Sequence, residues 1–184
     1  MYSIIANAAW IVILIVWSIG FIGNKKTQKI PNTVEQTAVN LLLIIGFVFL
    51  FIRFSGDLVW PLMPFWIGLI GIAIAFASAA FAVWARVSLG KNWSGAVITV
   101  KENHELVQHG PYALVRHPIY TGFFFTAVGT AVASGSFVSF LGALLILVGF
   151  LIRIRREEAL MHLQFPNTYP AYVLRTKMLV PFIL

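Results

Sequence analysis

Side chains that could do chemistry are concentrated in two short polar stretches of this chain. The first runs from His104 to Tyr120 and holds three of the four histidines, two tyrosines and two prolines. The second, Arg153 to Glu158, holds three arginines and two glutamates. Both adjoin long apolar runs, where ionisable groups are costly and favour a functional interpretation. We therefore predict that the two stretches converge at a membrane surface and form the two halves of one cofactor pocket.

The pair His117-Pro118 begins an apolar segment. Proline at the first helical position removes a backbone N–H that would be unpaired in any case. The remaining free N–H groups, together with the helix dipole, form an anion-binding end that could hold a cofactor carboxylate or phosphate. The alternative interpretation is structural: His117 caps the helix, and Arg116 contacts lipid headgroups.

Gly110-Pro111-Tyr112 predicts a turn that presents an aromatic ring, with Leu106 and Val107 shortly before it. Apolar residues beside a tyrosine are typical of a pocket that holds a purine ring. Burial of the ring at the membrane interface would give the same pattern, so the local sequence leaves both interpretations open.

Arg153 and Glu157 are four residues apart and therefore share one face of a helix. An exposed pair of this kind is usually a weak surface salt bridge. At a membrane boundary, the arginine could instead hold an anionic lipid-borne group while the glutamate faces a cationic cofactor.

Several classes of function lack support in the sequence. There is no serine–histidine–acid arrangement with supporting context, no glycine-rich phosphate loop and no metal-ligand spacing such as His-x-x-x-His. Pumps and ion transporters place ionisable residues at mid-membrane, and here the middles of the apolar runs hold none.

The composition predicts an all-α integral membrane protein. Sixty per cent of the 184 residues are hydrophobic and 10% are charged, against about 25% charged residues in soluble domains. The net charge is +7, but the sequence contains no basic helix and no surface that combines aromatic and basic residues, so we expect no nucleic-acid partner. Cysteine is absent, which excludes disulfides, thiolate metal sites and cysteine nucleophiles.

A helix needs about 20 apolar residues to cross the hydrocarbon core. The uncharged run from Pro118 to Ile152 is too long for one crossing, and Ser134-Gly135-Ser136 should break it into a tight hairpin. We predict five transmembrane helices in a single membrane domain, at about 4–23, 37–54, 65–89, 118–133 and 137–153.

The lysines and arginines predict the orientation, because cytoplasmic loops carry an excess of them. Twelve of the thirteen follow the first, third or fifth span. The N-terminus should therefore be outside, with a cytoplasmic cofactor region formed by residues 90–117 and 154–184. We expect the fifth span to continue as a helix until Pro166, and Tyr169 and Tyr172 to anchor the tail at the interface.

In order and spacing, these elements resemble the isoprenylcysteine carboxyl methyltransferase family, which is related to the phospholipid methyltransferases. The resemblance covers roughly residues 89–181. The chain departs from the family pattern in its tail, where Phe165-Pro166 replaces Phe-Gly and Met178 stands where many members have arginine. The matching residues are Leu89 to Ser94, His104 to Val107, Gly110 to Tyr112, Arg116 to Tyr120 with Gly122, Arg153, Glu157, Glu158, Phe165, Tyr169 and Tyr172.

The resemblance implies a multi-pass membrane methyltransferase that uses S-adenosylmethionine at the cytoplasmic face. Arg153 would bind the carboxylate of a lipid or lipidated substrate that enters from the bilayer. The positions that would bind the cofactor are His104, Glu105, Leu106, Val107, Tyr112, His117, Pro118, Ile119, Tyr120 and Glu157.

A carboxylate acceptor is already ionised at neutral pH and needs no strong base, which agrees with the lack of a catalytic dyad. An amine acceptor, as in phosphatidylethanolamine methylation, would first lose a proton beside an arginine that disfavours a cation. We therefore expect O-methylation of an isoprenylated cysteine or a similar lipid-borne carboxylate. The alternatives are a phospholipid N-methyltransferase, a sterol-type NADPH membrane reductase and a non-catalytic membrane component. The sequence gives no oligomeric state.

Overall fold

The computed structural model describes residues 1–20, 34–52, 64–90 and 106–181. Regular structure in these segments is helical, apart from isolated bridges such as the one between Val115 and Lys177. The six α-helices are α1 Tyr2–Gly20, α2 Val34–Phe51, α3 Phe65–Leu89, α4 Pro118–Ser134, α5 Phe137–Gln164 and α6 Tyr169–Arg175, and a 3-10 helix spans Gly110–Ala113.

The protein is an all-α integral membrane protein, as the composition predicts. Within the described segments, four helices are long and apolar enough to cross a bilayer: α1, α2, α3 and α5. Helix α4 has 17 residues, slightly fewer than the roughly 20 that a perpendicular crossing needs. The count of five spans and the outward N-terminus stay predictions.

Small residues let α3 and α4 pack backbone against backbone. A Cβ placed on Gly129 would lie 2.5 Å from the backbone nitrogen of Ala75, and one on Gly71 would lie 2.4 Å from that of Ala133. Even the methyl group of an alanine does not fit at these two glycines, and such close approach of backbones is how small residues promote helix association in membranes. Ala75 and Ala79 belong to the small-residue pairs that the sequence contains in this helix, and both are buried here.

Helices α2 and α5 pack in the same way. A Cβ on Gly142 would lie 2.6 Å from the carbonyl oxygen of Gly46, and the Ser139 hydroxyl donates a 3.2 Å hydrogen bond to the Leu50 carbonyl. Helix α1 is fixed to α4 by a polar contact in the core. The Trp10 indole N–H donates a 3.0 Å hydrogen bond to the Thr130 hydroxyl, and its ring packs edge-on against other aromatics of the bundle.

The turn between α4 and α5 lies at the Ser134-Gly135-Ser136 run that the sequence singles out. Gly135 has φ 64°, a left-handed conformation that ends α4 at no steric cost to glycine. Ser136 then caps α5, because its hydroxyl accepts a hydrogen bond from the backbone N–H of Ser139. The hairpin therefore brings the start of α4 beside the end of α5.

Helix α5 has 28 residues and is about 42 Å long at 1.5 Å per residue, so it outruns a hydrocarbon core of about 30 Å. Its last turns lie beyond the apolar span 137–153. An ion pair and a 3.1 Å hydrogen bond join Arg156 to Glu35 at the start of α2. The polar ends of α2, α4 and α5 thus meet at one end of the bundle.

The α3–α4 contact yields a stability prediction. Ala75→Leu adds three carbons at a fully buried position against the backbone of Gly129. Overpacking should destabilise the fold by about 1–3 kcal/mol. Thermal unfolding in detergent micelles measures the effect. Ala77→Leu makes the same change at an exposed position of α3, and equal losses of stability in the two variants would contradict this packing.

Candidate functional site

The base of the α4–α5 hairpin gathers the chemically active side chains around Glu157. Its carboxylate accepts a short hydrogen bond from the Tyr120 hydroxyl and lies 3.4 Å from Nε of Arg153. Its other oxygen lies 3.7 Å from Nδ1 of His117. Residues 117–120 and 153–157, which the sequence predicts to converge, therefore share one carboxylate at the end of the bundle.

The adjacent glutamate, Glu158, holds the loop that leads into α4. Its Oε1 lies 2.7 Å from Nε of Arg116 and 3.2 Å from Nε2 of His117. Partial burial of Glu158 raises its pKa, but the hydrogen bonds and charges of His117 and Arg116 outweigh that effect and lower the pKa to about 2. The carboxylate therefore stays ionised throughout the physiological pH range.

Arg116 also contacts the backbone of the C-terminal tail. Its Nη1 donates to the carbonyl oxygens of Thr176 and, at 3.4 Å, Val173. Its own backbone N–H donates to the Lys177 carbonyl at 2.8 Å, and that of His117 donates to the Met178 carbonyl at 3.1 Å. The tail is thus docked by main-chain atoms onto the loop that carries His117.

Helix α6 covers the 3-10 turn that carries Tyr112. The Tyr172 hydroxyl donates a 2.6 Å hydrogen bond to the Tyr112 carbonyl, and Arg175 donates to the side-chain oxygen of Gln108. Burial raises the pKa of Tyr172 to about 12, even though the charge of Arg116 acts against the rise. The hydroxyl therefore remains a proton donor, and α6 is fixed over the turn.

The structure differs from the sequence prediction for the tail tyrosines. Tyr169 and Tyr172, expected at the membrane interface, are 2% and 3% exposed and are buried within the protein. Their rings pack 6.0 Å apart, edge to face, and Tyr169 also packs on His162 of α5. The expected interfacial anchoring is wrong for this pair, because α6 folds back onto the site.

The remaining predicted site residues are found as follows. Leu106 and Val107 lie in an irregular, partly buried segment before the 3-10 helix, and Tyr112 is 8% exposed within that helix. Pro118 is buried at the first position of α4 and Ile119, next to it, is partly buried. His104 and Glu105 lie outside the described residues. Their expected roles, like those of the other site residues, stay predictions.

From the sequence alone, Glu158 had no specific role in the site, and in the structural interpretation Arg116 was expected to contact lipid headgroups. The structure pairs them instead. A signal for this contact is present in the sequence: Arg116-His117 and Glu157-Glu158 are adjacent pairs of complementary residues at the two ends of one hairpin.

The lowered pKa of Glu158 predicts acid-sensitive docking of the tail. A carboxyl whose folded pKa is depressed contributes stability above its unfolded pKa, near 4.3, and loses that contribution as pH falls through about 2. Glu158→Gln should therefore destabilise the protein at pH 7 by about 1–3 kcal/mol. The difference in the free energy of unfolding between wild type and variant should become smaller as pH falls below about 4. Thermal unfolding across pH tests this, and trypsin cleavage after Arg175 or Lys177 at neutral pH reports release of the tail.

The control for this experiment is Glu35→Gln, which removes the exposed carboxylate that pairs with Arg156. Exposed ion pairs contribute about 0–1 kcal/mol, so this variant should change stability little and leave the tail protected. An unchanged cleavage rate in Glu158→Gln would contradict the docking role of Glu158.

Comparison with known proteins places this chain in a family. The family model "Isoprenylcysteine carboxyl methyltransferase (ICMT) family" matches residues 69–163, which include α4 and the Arg153–Glu158 run. A protein-S-isoprenylcysteine O-methyltransferase of Schizosaccharomyces pombe is 40% identical over 101 residues, which are 54% of this chain and 43% of that protein. A probable protein-S-isoprenylcysteine O-methyltransferase of Oryza sativa subsp. indica is 31% identical over 125 residues, 66% of this chain and 65% of that protein.

A solved structure shares the fold. It is the eukaryotic intramembrane Ras methyltransferase ICMT, which matches with a TM-score of 0.62 at 23% identity and covers 84% of this chain and 55% of that one. This chain thus spans about half the length of that protein and less than two thirds of the two relatives. The match to the family model covers just over half of the chain and contains the hairpin whose two ends form the site, so this chain belongs to the isoprenylcysteine carboxyl methyltransferase family.

Proposed function

We propose that this chain is an S-adenosylmethionine-dependent membrane methyltransferase that O-methylates a lipid-borne carboxylate, most closely that of an isoprenylated cysteine. The observation that carries the proposal is the contact of Glu157 with Arg153 and Tyr120 at the end of the bundle. There, the carboxylate of Glu157, which suits a cationic methyl donor, adjoins the guanidinium of Arg153, which suits an anionic methyl acceptor. The names of the relatives, which are isoprenylcysteine methyltransferases, agree with this chemistry.

The residues of the site fit the methyl donor. S-adenosylmethionine, when bound, supplies a methyl group on a positively charged sulfur. Glu157, whose side chain is 25% exposed, can accept hydrogen bonds from the donor's ammonium group. The buried ring of Tyr112 gives an apolar wall for adenine, with Leu106 and Val107 before it.

The start of α4 suits the carboxylate of the donor's amino-acid end. Pro118 occupies the first helical position, and the first N–H groups of a helix have no partner within it. Anions are stabilised there by the helix dipole. His117 and Tyr120 flank this end, and the Glu158 contact keeps the His117 ring in place.

The acceptor side centres on Arg153, whose side chain is 11% exposed. A guanidinium binds a carboxylate through two parallel hydrogen bonds, which orients one oxygen for an in-line displacement. If that oxygen took the methyl group of a bound sulfonium donor, the electron pair of the broken carbon–sulfur bond would remain on sulfur, and Arg153 would have held the acceptor in place. No proton is transferred, so positioning and electrostatic stabilisation supply the rate.

An amine acceptor suits this site less well. Phosphatidylethanolamine would carry an ammonium group beside Arg153 and would need a base to remove its proton. Glu157 is the carboxylate next to Arg153, but this proposal assigns it to the ammonium group of the donor, so it does not serve as that base.

The excess of lysines and arginines after the first, third and fifth spans supports a cytoplasmic site.

Two variants test the roles proposed at the hairpin base. Arg153→Met should lower kcat/KM for the acceptor about 10- to 100-fold, the equivalent of a lost charge-assisted hydrogen bond. It should leave the affinity for S-adenosylhomocysteine nearly unchanged. Glu157→Gln should weaken that affinity, measured by calorimetry, about tenfold or more. Arg155→Met is the matched control, because Arg155 lies on the exposed side of α5.

Transfer of a radiolabelled methyl group tests the reaction itself, with farnesylcysteine analogues and phosphatidylethanolamine as acceptors. We expect alkali-labile label, which indicates an ester. Stable label in lipid would indicate an amine acceptor and reject the carboxylate. Folded wild-type protein that produces no heat with millimolar S-adenosylhomocysteine would reject the methyltransferase proposal altogether.

A further inference from the structure

The end of α6 carries exposed side chains that the proposed site does not use. Leu174 is 88% exposed, and Arg175 and Lys177 are also exposed. Tyr169 and Tyr172 of the same helix are buried against the site. The tail therefore has an inner face that covers the site and an outer face, formed by Leu174, Arg175 and Lys177, that is apolar and basic.

Helix α6 begins at a level well beyond the predicted apolar span. The ring of Tyr169, its first residue, packs 4.8 Å from the ring of His162 on α5. His162 lies nine residues after Arg153, the last residue of that span. At 1.5 Å per residue, the start of α6 is therefore about 13 Å beyond the hydrocarbon core.

The residues after α6 return to the level at which α4 begins. The carbonyl of Lys177 accepts a 2.8 Å hydrogen bond from the backbone N–H of Arg116, just before α4. The carbonyl of Leu179 accepts a 2.7 Å hydrogen bond from the hydroxyl of Thr121, in the first turn of α4. Helix α6 thus descends towards the bilayer, and the chain meets the membrane boundary at Lys177.

The outer face of the tail therefore lies at the depth of the lipid headgroups. A bilayer of 40–45 Å with a core of about 30 Å has a headgroup layer of about 5–7 Å on each side. Arg175 and Lys177 have long side chains whose apolar stems can cover apolar surface while their charged ends reach polar groups. Leu174 adds an apolar side chain beside them.

The charge of this face is complementary to anionic lipids. Arg175 donates a hydrogen bond to the neutral amide of Gln108. In the part of the chain that the structure describes, the ion pairs of Glu157 and Glu158 are made with residues of the site and not with Arg175 or Lys177. Both cations thus keep their charge for a partner outside the protein, and phosphate groups of a leaflet supply the opposite charge.

We propose that the outer face of the tail docks on the headgroups of anionic phospholipids in the adjoining leaflet, and that this docking holds α6 over the site. The tail is bound to Arg116 and His117 through its main chain, so a contact with lipid on its outer face stabilises the same docked position. The orientation proposed above would put this face on the cytoplasmic leaflet, where anionic lipids are concentrated.

Hydrogen exchange in lipid nanodiscs measures the docking without a label. The amides of Arg116 and His117 report release of the tail, because they donate to the carbonyls of Lys177 and Met178. In an equal mixture of phosphatidylglycerol and phosphatidylcholine, both amides should exchange about 5- to 25-fold more slowly than in phosphatidylcholine alone, as expected for one or two cations at an anionic surface. The difference should largely disappear at about 1 M salt, where the screening length is about 3 Å.

The double variant Arg175→Gln, Lys177→Gln should lose most of this response to phosphatidylglycerol. Comparison between membranes separates the lipid effect from loss of the Arg175–Gln108 contact, which is absent in both. The double variant also controls for the lower pH at an anionic surface, which slows exchange in any sequence. Arg155→Gln is the matched control, because it removes an exposed cation from α5 instead of from the tail, and it should keep the wild-type response.

A second measurement locates the outer face relative to the headgroups. The chain has no cysteine, so Leu174→Cys carries a fluorophore to one position. Lipids with a nitroxide on the headgroup should quench this probe strongly in the mixed membrane. Leu163→Cys is the control: Leu163 is 79% exposed, but it lies ten residues after Arg153, about 15 Å beyond the span, and should be quenched weakly.

Several results would overturn the proposal. Equal exchange of the two amides in the two membranes would reject a role for anionic lipid, as would a double variant that responds like wild type or an Arg155→Gln variant that does not respond. Equal quenching at positions 163 and 174 would place the outer face away from the headgroups. None of these measurements uses a methyl donor or acceptor, so their outcome is independent of the proposed methyl transfer.

Discussion

The site depends on one electrostatic contact between the two ends of the α4–α5 hairpin. Two glutamates near the end of α5 face Arg116 and His117 at the entrance of α4. The glutamates and Arg116 are partly removed from water, so an unpaired carboxylate or guanidinium would be costly there, and the two ends hold each other in place. The Gly135 turn makes this possible, because it returns α5 alongside α4 with a single residue in the left-handed conformation.

The contact between Arg116 and Glu158 also fixes the position of the C-terminal tail. Arg116 uses its side chain to bridge Glu158 and tail carbonyls, so the acid, the loop and the C-terminal segment are linked through one guanidinium. Helix α6 then covers Tyr112 through the Tyr172 hydroxyl. The 3-10 turn, the loop before α4 and the end of α5 are separate in sequence, and the tail contacts all three.

Much of this arrangement was predictable from the sequence. The apolar runs indicate the helices because a membrane helix satisfies its own backbone and leaves a plain hydropathy signal. Ser134-Gly135-Ser136 indicates the turn by local conformational preference alone. The approach of residues 117–120 to 153–157 follows from these two facts, since an antiparallel hairpin brings its outer ends together.

Other features were not predictable, because they depend on contacts between segments far apart in the chain. A tyrosine ring in an amphipathic tail looks the same in sequence whether it meets lipid headgroups or protein, and Tyr169 and Tyr172 meet protein. The ion pair between Arg156 and Glu35 requires the register of α2 against α5. Nothing in the local sequence of Glu35 indicates that register.

The bridge between Val115 and Lys177 has a consequence for how the end of the chain can vary. Besides side chains of α6, the tail is docked by the carbonyl oxygens of Val173, Thr176, Lys177, Met178 and Leu179, which every amino acid possesses. Exchange of the side chains at these positions, Met178 included, leaves the acceptor oxygens in position. Loss or gain of a single residue instead shifts each carbonyl by up to about 3.8 Å. The backbone contacts of this segment are thus insensitive to the identity of its side chains but sensitive to its length.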